Sequence, residues 1–535
     1  MRMNRATLRA VVGAAVVALA CAACGAGPSN RPGVAVEQHT SGTGGSGDTN
    51  SAPPPKAAEL PVPKSDLTWR NCTEPTLKLL SLGPAPQGLT LDCAEYTAPI
   101  DASGAIYGTF TVGLVRARFP QTPTNVAPLI LTSGSDRPSS ATLAGLASGP
   151  VGALLTSRPI VAIDRRGIGN STPIDCLKPP VRSALDDNAQ FGYTPSDPTQ
   201  TTSDGSDPVN AMANVSETAT TACKDFLQPQ ELAFDAGHAA DDIEQLRLNW
   251  QVDTIGIIGT GNGATVALDY AAKHPGHVGR LILDSPETLN ADVTAMTESQ
   301  VTGAEAALSA FATRCIGVHC SLGSDPRAAV ADVVRRAGSG DLGSLSANAV
   351  LTAISGFLGS PRADQANRIS ELADALSAAQ NGDVGALSTI VTREQAFTAS
   401  DGEFVARCTD AHQRPTPDKV RELEQTWDKR YPVFGKQAAI AMMACTAWPV
   451  VGAGPPPKQL KLPVLVLNGT ADPVVGNAGL SSVTGAIGAA GGNASVITWQ
   501  GWGHPVLAHS GCAQQAIVGY VKTAELPANG MACPA

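Results

Sequence analysis

Short apolar runs alternate with helical stretches along most of the chain beyond about residue 100. Each run is built around two to four consecutive apolar residues, as in short strands that are buried on both faces. The six runs lie at 128–134, 160–164, 254–259, 281–284, 464–467 and 495–498. Strands that alternate with helices predict βαβ units in a mostly parallel sheet flanked by helices, so the fold class is α/β. Ligands of such sheets collect at the carboxyl ends of the strands.

Between about residues 287 and 450 the pattern changes to helices alone. Apolar residues recur there at spacings of three and four, which predicts amphipathic helices. The recurring positions are Val330, Val333, Val334, Ala337, Ile369, Leu372, Leu376, Val420, Leu423 and Trp427. A helical insertion between two sheet-forming segments predicts a cap. We expect these side chains to pack the cap and to carry no chemistry.

The resulting division has five parts: a signal peptide at 1–24, a disordered tether at 25–65, a core segment at 66–286, the cap at 287–450 and a second core segment at 451–535. The tether is rich in Gly, Ser, Thr and Pro, and has too little apolar surface to offset the entropy of ordering. With 535 residues, 43% of them apolar, the chain can bury a large core. A net charge of -10 and the lack of a long Lys/Arg cluster disfavour a nucleic-acid partner.

The N-terminus has the features of an export signal. Three arginines precede the apolar run 10–20, which is too short to span a bilayer and ends in small residues around cysteines. The segment 22–25 (AACG) resembles a bacterial lipobox, which makes Cys24 the predicted lipidation site and Cys21 the competing one. An ordinary cleaved signal is the alternative. We therefore expect the protein on the outer face of the cell membrane, as a lipoprotein, or secreted.

Ten cysteines follow residue 24, and an even count in an exported chain predicts disulfides. No CxxC pair or His/Cys cluster has zinc spacing, so no metal site is predicted. The sequence leaves the connectivity open. Pairing neighbours in order closes five short to moderate loops, namely Cys72–Cys93, Cys176–Cys223, Cys315–Cys320, Cys408–Cys445 and Cys512–Cys533.

The segment 259–264 (GTGNGA) follows a predicted strand and precedes a predicted helix. It fits the nucleophile elbow G-x-S-x-G, in which case Gly261 stands where the serine would be. It also fits a dinucleotide fingerprint at Gly259, Gly261 and Ala264, with Asp284 as a possible ribose acceptor for NAD(P). The pattern alone does not choose between these two interpretations.

Two late strands favour the elbow. One ends in 468–473 (NGTADP) and the other in 499–504 (WQGWGH), which places Asp472 and His504 after their carboxyl ends. An α/β-hydrolase needs a nucleophile, an acid and a histidine in this chain order. His504 would act as general base and then general acid, and Asp472 would hold its tautomer and stabilise the imidazolium.

Several further motifs, spread over residues 66–535, point to one protein family. They are 164–171 (DRRGIGNS), 242–247 (DIEQLR), 280–284 (RLILD), 445–449 (CTAWP), 510–512 (SGC), 526–527 (LP) and Cys533. On these motifs the chain resembles the exported tripeptidyl aminopeptidase-like serine peptidases of actinobacteria, relatives of prolyl aminopeptidase within the α/β-hydrolase fold. The resemblance implies cleavage of short peptides from free N-termini under a cap that limits access, without a cofactor.

Gly261 departs from this family, because glycine has no side chain to attack a carbonyl. Thr260 is a poor substitute, since its Cα lies about 3.8 Å back along the chain and the elbow aims its central residue at the base.

The turn after the first apolar run is the second departure. The resemblance places oxyanion donors at Gly134 and Ser135, together with Asn262 after the elbow. Here the turn continues with Asp136, whose charge would oppose a developing oxyanion, and Pro138, which lacks an N–H.

These departures favour a degenerate hydrolase. One alternative is an active peptidase or esterase that uses Thr260 or a water activated by His504. Another is a non-catalytic protein that binds a peptide or an acyl ligand, and NAD(P) binding is a weaker one. In the cap, Asp410 could meet the ammonium of a peptide N-terminus, or it could be an ordinary exposed aspartate.

Overall fold

The computed structural model describes residues 59–149, 152–194, 206–361, 365–398, 400–450, 452 and 454–535. The predicted signal peptide, Cys21, Cys24 and most of the predicted tether lie outside the described residues. Residues 59–65, the end of that tether, contact the core: the N–H of Lys64 donates to the carbonyl of Trp250 at 2.9 Å.

A ten-stranded sheet in the order β1-β2-β3-β5-β4-β6-β7-β8-β9-β10 forms the centre of the molecule. The strands are β1 (Arg70–Asn71), β2 (Thr90–Pro99), β3 (Thr109–Arg118), β4 (Leu129–Thr132), β5 (Ile160–Ile163), β6 (Ile255–Thr260), β7 (Val278–Asp284), β8 (Pro463–Ala471), β9 (Asn493–Trp502) and β10 (Met531–Cys533). Pairing is antiparallel from β1 to β5 and parallel from β5 onward. The mostly parallel α/β sheet is confirmed, and each of the six apolar runs contributes a strand.

Helices cover both faces of the sheet. The helices before the cap are α1 (Thr73–Leu79), α2 (Ser139–Ala147), α3 (Ala153–Ser157), α4 (Pro179–Asp186), α5 (Pro208–Leu227), α6 (Ala236–Trp250) and α7 (Asn262–Lys273). The C-terminal ones are α16 (Gly479–Ala489) and α17 (Gly511–Thr523). One buried cluster joins α6, α7 and α16 to the sheet, and another joins α1, α2, α3 and α17 to it. Every position of β4, β5 and β6 is buried, because both faces of the sheet are covered there.

A layer of helices lies between β7 and β8 in the chain, at the place where the sequence predicts a cap. Its helices are α8 (Val293–Gly317), α9 (Pro326–Gly338), α10 (Ala347–Gly359), α11 (Ala366–Gln380), α12 (Gly385–Thr398), α13 (Asp401–Asp410), α14 (Pro417–Arg430) and α15 (Gly435–Ala441). The recurring apolar side chains are buried there, except Val334, which is partly buried. Helices α4 and α5 join the same hydrophobic cluster, although they precede the predicted cap in the chain.

Five disulfides are present, and they are the five pairs that join neighbouring cysteines. They are Cys72–Cys93, Cys176–Cys223, Cys315–Cys320, Cys408–Cys445 and Cys512–Cys533. Two of them lie within the helical layer, and Cys176–Cys223 anchors α5 to the loop after β5. None of the helices in the described ranges combines the length and the apolar character that crossing a membrane requires.

Candidate active site

The turn between β6 and α7 is a sharp elbow centred on Gly261, which has φ +54° and ψ −122°. This backbone conformation strains any residue with a Cβ and favours glycine. The flanking glycines allow close packing: a Cβ on Gly259 would lie 2.4 Å from the carbonyl oxygen of Gly263, and one on Gly263 would lie 2.0 Å from that of Thr132. The local geometry is that of a nucleophile elbow with glycine at its centre.

Asp472 and His504 are brought together next to this elbow. Nδ1 of His504 lies 2.7 Å from Oδ2 of Asp472. The other oxygen of Asp472 accepts hydrogen bonds from the N–H groups of Val474 and Val475. The carboxylate is fully buried, and these bonds hold it in place. A Cβ on Gly261 would lie 3.2 Å from Cε1 of His504. The order and placement are those of the acid and the base of a hydrolase.

The pKa of His504 is raised above its usual value. Burial, the largest influence, favours the neutral ring, but the nearby carboxylates of Asp472, Asp136 and Asp284 together outweigh it. A charged imidazole is therefore stabilised here, as a general base requires once it has accepted a proton.

Asp284 positions the segment that carries the histidine. Its carboxylate accepts the N–H groups of Val506 at 2.9 Å and Leu507 at 2.7 Å. Burial raises the pKa of Asp284 to about 6. Because both oxygens are occupied by the backbone, Asp284 is not placed to bind a ribose, and the dinucleotide interpretation loses its acceptor.

Asp136 fills the space above Gly261. Its Oδ2 lies 2.0 Å from the position that a Cβ of residue 261 would take. The same oxygen accepts the N–H of Asn262 at 2.6 Å. Burial raises the pKa of Asp136 to about 6, against the opposing effects of His504 and that N–H. The sequence indicated Asp136 as a charge near the oxyanion position, but not that its carboxylate would occupy the place of the nucleophile.

The three predicted oxyanion positions are all engaged with protein groups. The N–H of Asn262 donates to Asp136, and the N–H of Ser135 donates to Oδ1 of Asn262 at 3.0 Å. Gly134 has φ +61°, and a Cβ there would lie 2.1 Å from the same Oδ1. The turn therefore packs directly on the elbow, and neither of the two donors at Ser135 and Asn262 points at an open acyl site.

Thr260 is fully buried, and its hydroxyl is hydrogen-bonded to the hydroxyl of Ser133 at 2.9 Å. Ser133 is in turn bonded to Thr142 at 2.9 Å. Thr260 therefore serves packing, which argues against its use as a substitute nucleophile.

Asp410 is paired rather than directed at a ligand. Its Oδ2 lies 2.8 Å from Nη1 of Arg165, and its Oδ1 accepts the N–H of Ala236. Arg165 also donates to Oδ1 of Asn262 at 2.9 Å. The cap is thus joined to the elbow through Arg165, and Asp410 is already committed to that connection.

A cavity of about 440 Å³ lies between the core and the helical layer. Asp136, Asn262 and His504 line it on the core side. On the other side the lining includes Phe404 and Met442, so the walls combine apolar and polar groups. Concave sites of this size and character are typical of small-molecule binding.

Two buried glutamates that the sequence analysis did not single out also line the cavity. Burial, with a smaller effect of the Asp136 charge, raises the pKa of Glu287 well above its usual range. The same two causes raise the pKa of Glu403 to about 8, against the opposing charge of Arg407. The carboxylate of Glu287 accepts a hydrogen bond from Nδ2 of Asn262 at 3.3 Å. It follows β7 closely, so its position at the carboxyl end of a strand was the signal that could have identified it. Glu403 lies on α13, where no periodic pattern marks it.

Glu244, His274 and His277 form a possible metal-binding group outside the cavity, with ligand atoms within 4.8 Å of one another. Glu244 is, however, already bonded to Arg247 at 2.6 Å and to Tyr270 at 2.9 Å. These contacts account for the carboxylate without an ion.

Comparison with known proteins bears on the half of the site that carries the acid and the base. Residues 431–533, which include Asp472 and His504, match the family described as "TAP-like protein". The C-terminal segment is TAP-like. The resemblance to tripeptidyl aminopeptidase-like proteins of the α/β-hydrolase fold is thereby confirmed. None of the curated proteins compared with this chain matches it.

Solved structures with a similar chain path are mostly esterases and other hydrolases. A membrane phospholipase A described as a bacterial virulence factor is 15% identical, with coverage of 84% of this chain and 89% of that chain and a TM-score of 0.33. A putative aryl esterase from Burkholderia cenocepacia is 11% identical, with 80% and 98% covered and a TM-score of 0.36. A thermophilic esterase from Thermogutta terrifontis is 13% identical, with 80% and 98% covered and a TM-score of 0.31. Likenesses this distant carry no argument about activity.

Proposed function

We propose that this TAP-like chain is an exported, lipid-anchored protein that has lost serine-type acyl transfer but keeps the Asp472–His504 pair and a ligand cavity. One observation carries the loss: Oδ2 of Asp136 occupies the space of a side chain at residue 261 and accepts the N–H of Asn262. The chain would then be a degenerate member of a serine peptidase family.

Asp136 interferes with serine chemistry in two ways. A serine at 261 would place its Cβ 2.0 Å from Oδ2 of Asp136, far inside contact distance. The N–H of Asn262, which would bind an acyl oxyanion, is already bonded to a carboxylate. Loss of one oxyanion donor alone costs about 100- to 1,000-fold in rate, and loss of the nucleophile removes nearly all triad-dependent rate.

The cavity supports the second part of the proposal, a small organic ligand. Its volume of about 440 Å³ and its mixed lining suit a peptide or an acyl group of modest size. The family resemblance favours a peptide with a free N-terminus. Asp410 is a weak candidate for its ammonium group, because Arg165 already pairs with that carboxylate.

Export and lipid anchoring rest on the N-terminal sequence. The apolar run 10–20 and the lipobox-like segment before Cys24 support a lipoprotein signal, and five disulfides in the described part of the chain suit an oxidising compartment.

The loss of serine chemistry is tested with a fluorophosphonate probe and with short-peptide and ester reporters. We expect no labelling and no cleavage by the native protein, and none by Gly261→Ser, because Asp136 still fills the site. The double variant Gly261→Ser with Asp136→Gly removes the obstruction, and labelling at residue 261 is expected to appear there. Stoichiometric labelling of the native protein at one residue would contradict the proposal.

Anchoring is tested by metabolic labelling with a fatty-acid analogue in a bacterial host. Cys24→Ser is expected to abolish the label and release the protein from the membrane fraction, whereas Cys21→Ser keeps both. Labelling that survives Cys24→Ser and disappears with Cys21→Ser would move the anchor to Cys21. Labelling of neither residue would contradict a lipid anchor.

A further inference from the structure

We propose that Asp136 is itself a nucleophile, which attacks a saturated carbon of an electrophile bound in the cavity. The substrate class is the epoxides, which the protein would hydrolyse. The inference goes beyond the proposed function and rests on one part of it, the loss of serine chemistry. It follows from the juxtaposition of three groups: a carboxylate in the nucleophile position, the N–H of Asn262 and the Asp472–His504 pair.

The two oxygens of Asp136 have different surroundings. Oδ2 accepts the N–H of Asn262 at 2.6 Å, and it is the only one of the two that is hydrogen-bonded to the described part of the chain. Asp136 lines the cavity, and in the proposed reaction Oδ1 is the atom that attacks a bound electrophile. A carboxylate is an established type of enzymatic nucleophile. The Gly261 position gives it access to the base, since a Cβ there would lie close to both Oδ2 and the His504 ring.

In the first step Oδ1 of Asp136 attacks one carbon of the epoxide ring. A carbon–oxygen ester bond forms, and the ring carbon–oxygen bond breaks with its electron pair on the ring oxygen. That oxygen takes a proton from Glu403. Glu403 can supply it because it lines the cavity, and burial raises its pKa to about 8 against the opposing charge of Arg407, 3.5 Å away. The products of this step are a hydroxyalkyl ester of Asp136 and the Glu403 carboxylate.

In the second step His504 removes a proton from water, and the hydroxide adds to Cγ of Asp136. The negative charge develops on Oδ2, which the N–H of Asn262 already contacts. The donor that is blocked for an acyl substrate is thus correctly placed for hydrolysis of an ester on Asp136. The intermediate then expels the alkoxide, which takes the proton from His504. The new carboxylic acid returns a proton to Glu403 through solvent, and the net reaction is epoxide plus water to diol.

The geometry favours this reaction over acyl transfer to Asp136. An acyl substrate would give a mixed anhydride, and its own oxyanion would need the N–H of Asn262 while Asp136 holds it. Attack at a saturated carbon produces no oxyanion in the first step. The oxyanion arises only in the second step, on Asp136 itself.

The test is a single turnover of styrene oxide in ¹⁸O-labelled water with the protein in excess. We expect the first diol to contain unlabelled oxygen, because the transferred oxygen is Oδ1, and the label to appear in the peptide that contains Asp136. His504→Gln should accumulate a hydroxyalkyl ester on Asp136, seen as a mass increase equal to that of styrene oxide. Label that enters the diol directly in the first turnover would overturn the proposal.

Variants separate the roles of the carboxylates. Asp136→Asn should lower turnover about 1,000-fold or more. Asp187→Asn is the matched control: Asp187 is not among the residues that line the cavity, and burial likewise raises its pKa, to about 7. Its turnover should be unchanged, and equal losses in the two variants would contradict a specific role for Asp136. Thermal unfolding of each variant checks that the fold is retained.

A second electrophile tests the role of Glu403 as the proton donor separately from the role of Asp136. With n-butyl bromide, whose leaving group needs no proton, Glu403→Gln should react like the native protein, whereas its turnover of styrene oxide should fall about 100-fold. If neither probe gives product or an Asp136 ester in native or His504→Gln protein, the inference is wrong. The loss of serine chemistry is judged separately by fluorophosphonate labelling, so the two failures are distinguishable.

Discussion

Asp164 accepts both the N–H and the O–H of Ser140, at 2.8 and 2.7 Å. Asp164 follows β5, whereas Ser140 lies in the first turn of α2, just beyond the turn that carries Asp136. The same carboxylate accepts the N–H and the side-chain amide of Asn170. A fully buried aspartate thus fixes two loops to each other above the sheet, and one of these loops places Asp136 over Gly261.

We expect Asp164→Asn to destabilise the protein. The asparagine amide would face the donors of Ser140 and Asn170, and buried donors left unpaired cost about 1–3 kcal/mol each. Ser140→Ala removes the hydroxyl donor and leaves the N–H contact in place, so it should cost only about 0.5–1.5 kcal/mol. Urea unfolding followed by circular dichroism measures both. Equal losses in the two variants would show that Asp164 does not act through several donors.

The strands of the parallel half were predictable from the sequence because they are buried on both faces. Runs such as 255–259 and 464–467 contain no polar side chain for that reason. β2 and β3 pair antiparallel near one end of the sheet and carry polar residues among the apolar ones, so a search for continuous apolar runs passes over them. The same limit applies to α4 and α5, whose membership of the helical layer depends on tertiary packing rather than on chain order.

The candidate site was predictable to a similar extent. Gly261, Asp472 and His504 each follow a strand, and the carboxyl ends of parallel strands meet at one edge of the sheet. The role of Asp136 could not be predicted from the sequence, because it depends on the path of a turn and not on any periodic pattern. Glu403 comes from a cap helix, and its position over the cavity follows from the packing of that layer.

A double-mutant cycle on Gly261 and Asp136 measures the crowding between them. Gly261→Ala adds a Cβ that would lie 2.0 Å from Oδ2 of Asp136, so we expect it to cost about 2–4 kcal/mol from the clash and from the strained backbone at φ +54°. In an Asp136→Ala background the backbone strain and the 3.2 Å contact with Cε1 of His504 remain, but the clash with the carboxylate is gone. The coupling between the two sites should then be about 1–3 kcal/mol.

Gly340→Ala controls for the strain in this cycle. Gly340 has φ +82°, and a Cβ there meets no neighbouring atom within 4 Å, so its cost reports positive φ alone. Additive effects of Gly261→Ala and Asp136→Ala in thermal unfolding would indicate that Asp136 does not occupy the space above the elbow.

Asp472→Asn should lower the pKa of His504. Burial, the largest influence on that ring, favours the neutral form, and the charge and hydrogen bond of Asp472 are the main forces against it. With the charge gone, we expect the imidazole to titrate at lower pH than in the native protein, as measured by NMR of the ring protons. An unchanged His504 titration would contradict the importance of the 2.7 Å contact.

The stability of the protein should depend on pH through Asp136. Its pKa is raised from 3.8 to about 6 mainly by burial, so the protonated form favours folding. This contribution is fully present below pH 3.8 and is lost as the pH rises through about 6. Asp136→Asn removes the penalty on the charged form, so it should be more stable than the native protein by about 1–3 kcal/mol above pH 7. The difference should shrink toward pH 4, as followed by thermal unfolding.

Asp101→Asn is the control of opposite sign, because hydrogen bonds from Ser103 lower the pKa of Asp101 to about 2. This variant should be less stable than the native protein only at the higher pH values, where the native carboxylate is charged. If Asp136→Asn and the native protein differ equally at all pH values, the carboxylate is not held in a buried site above Gly261.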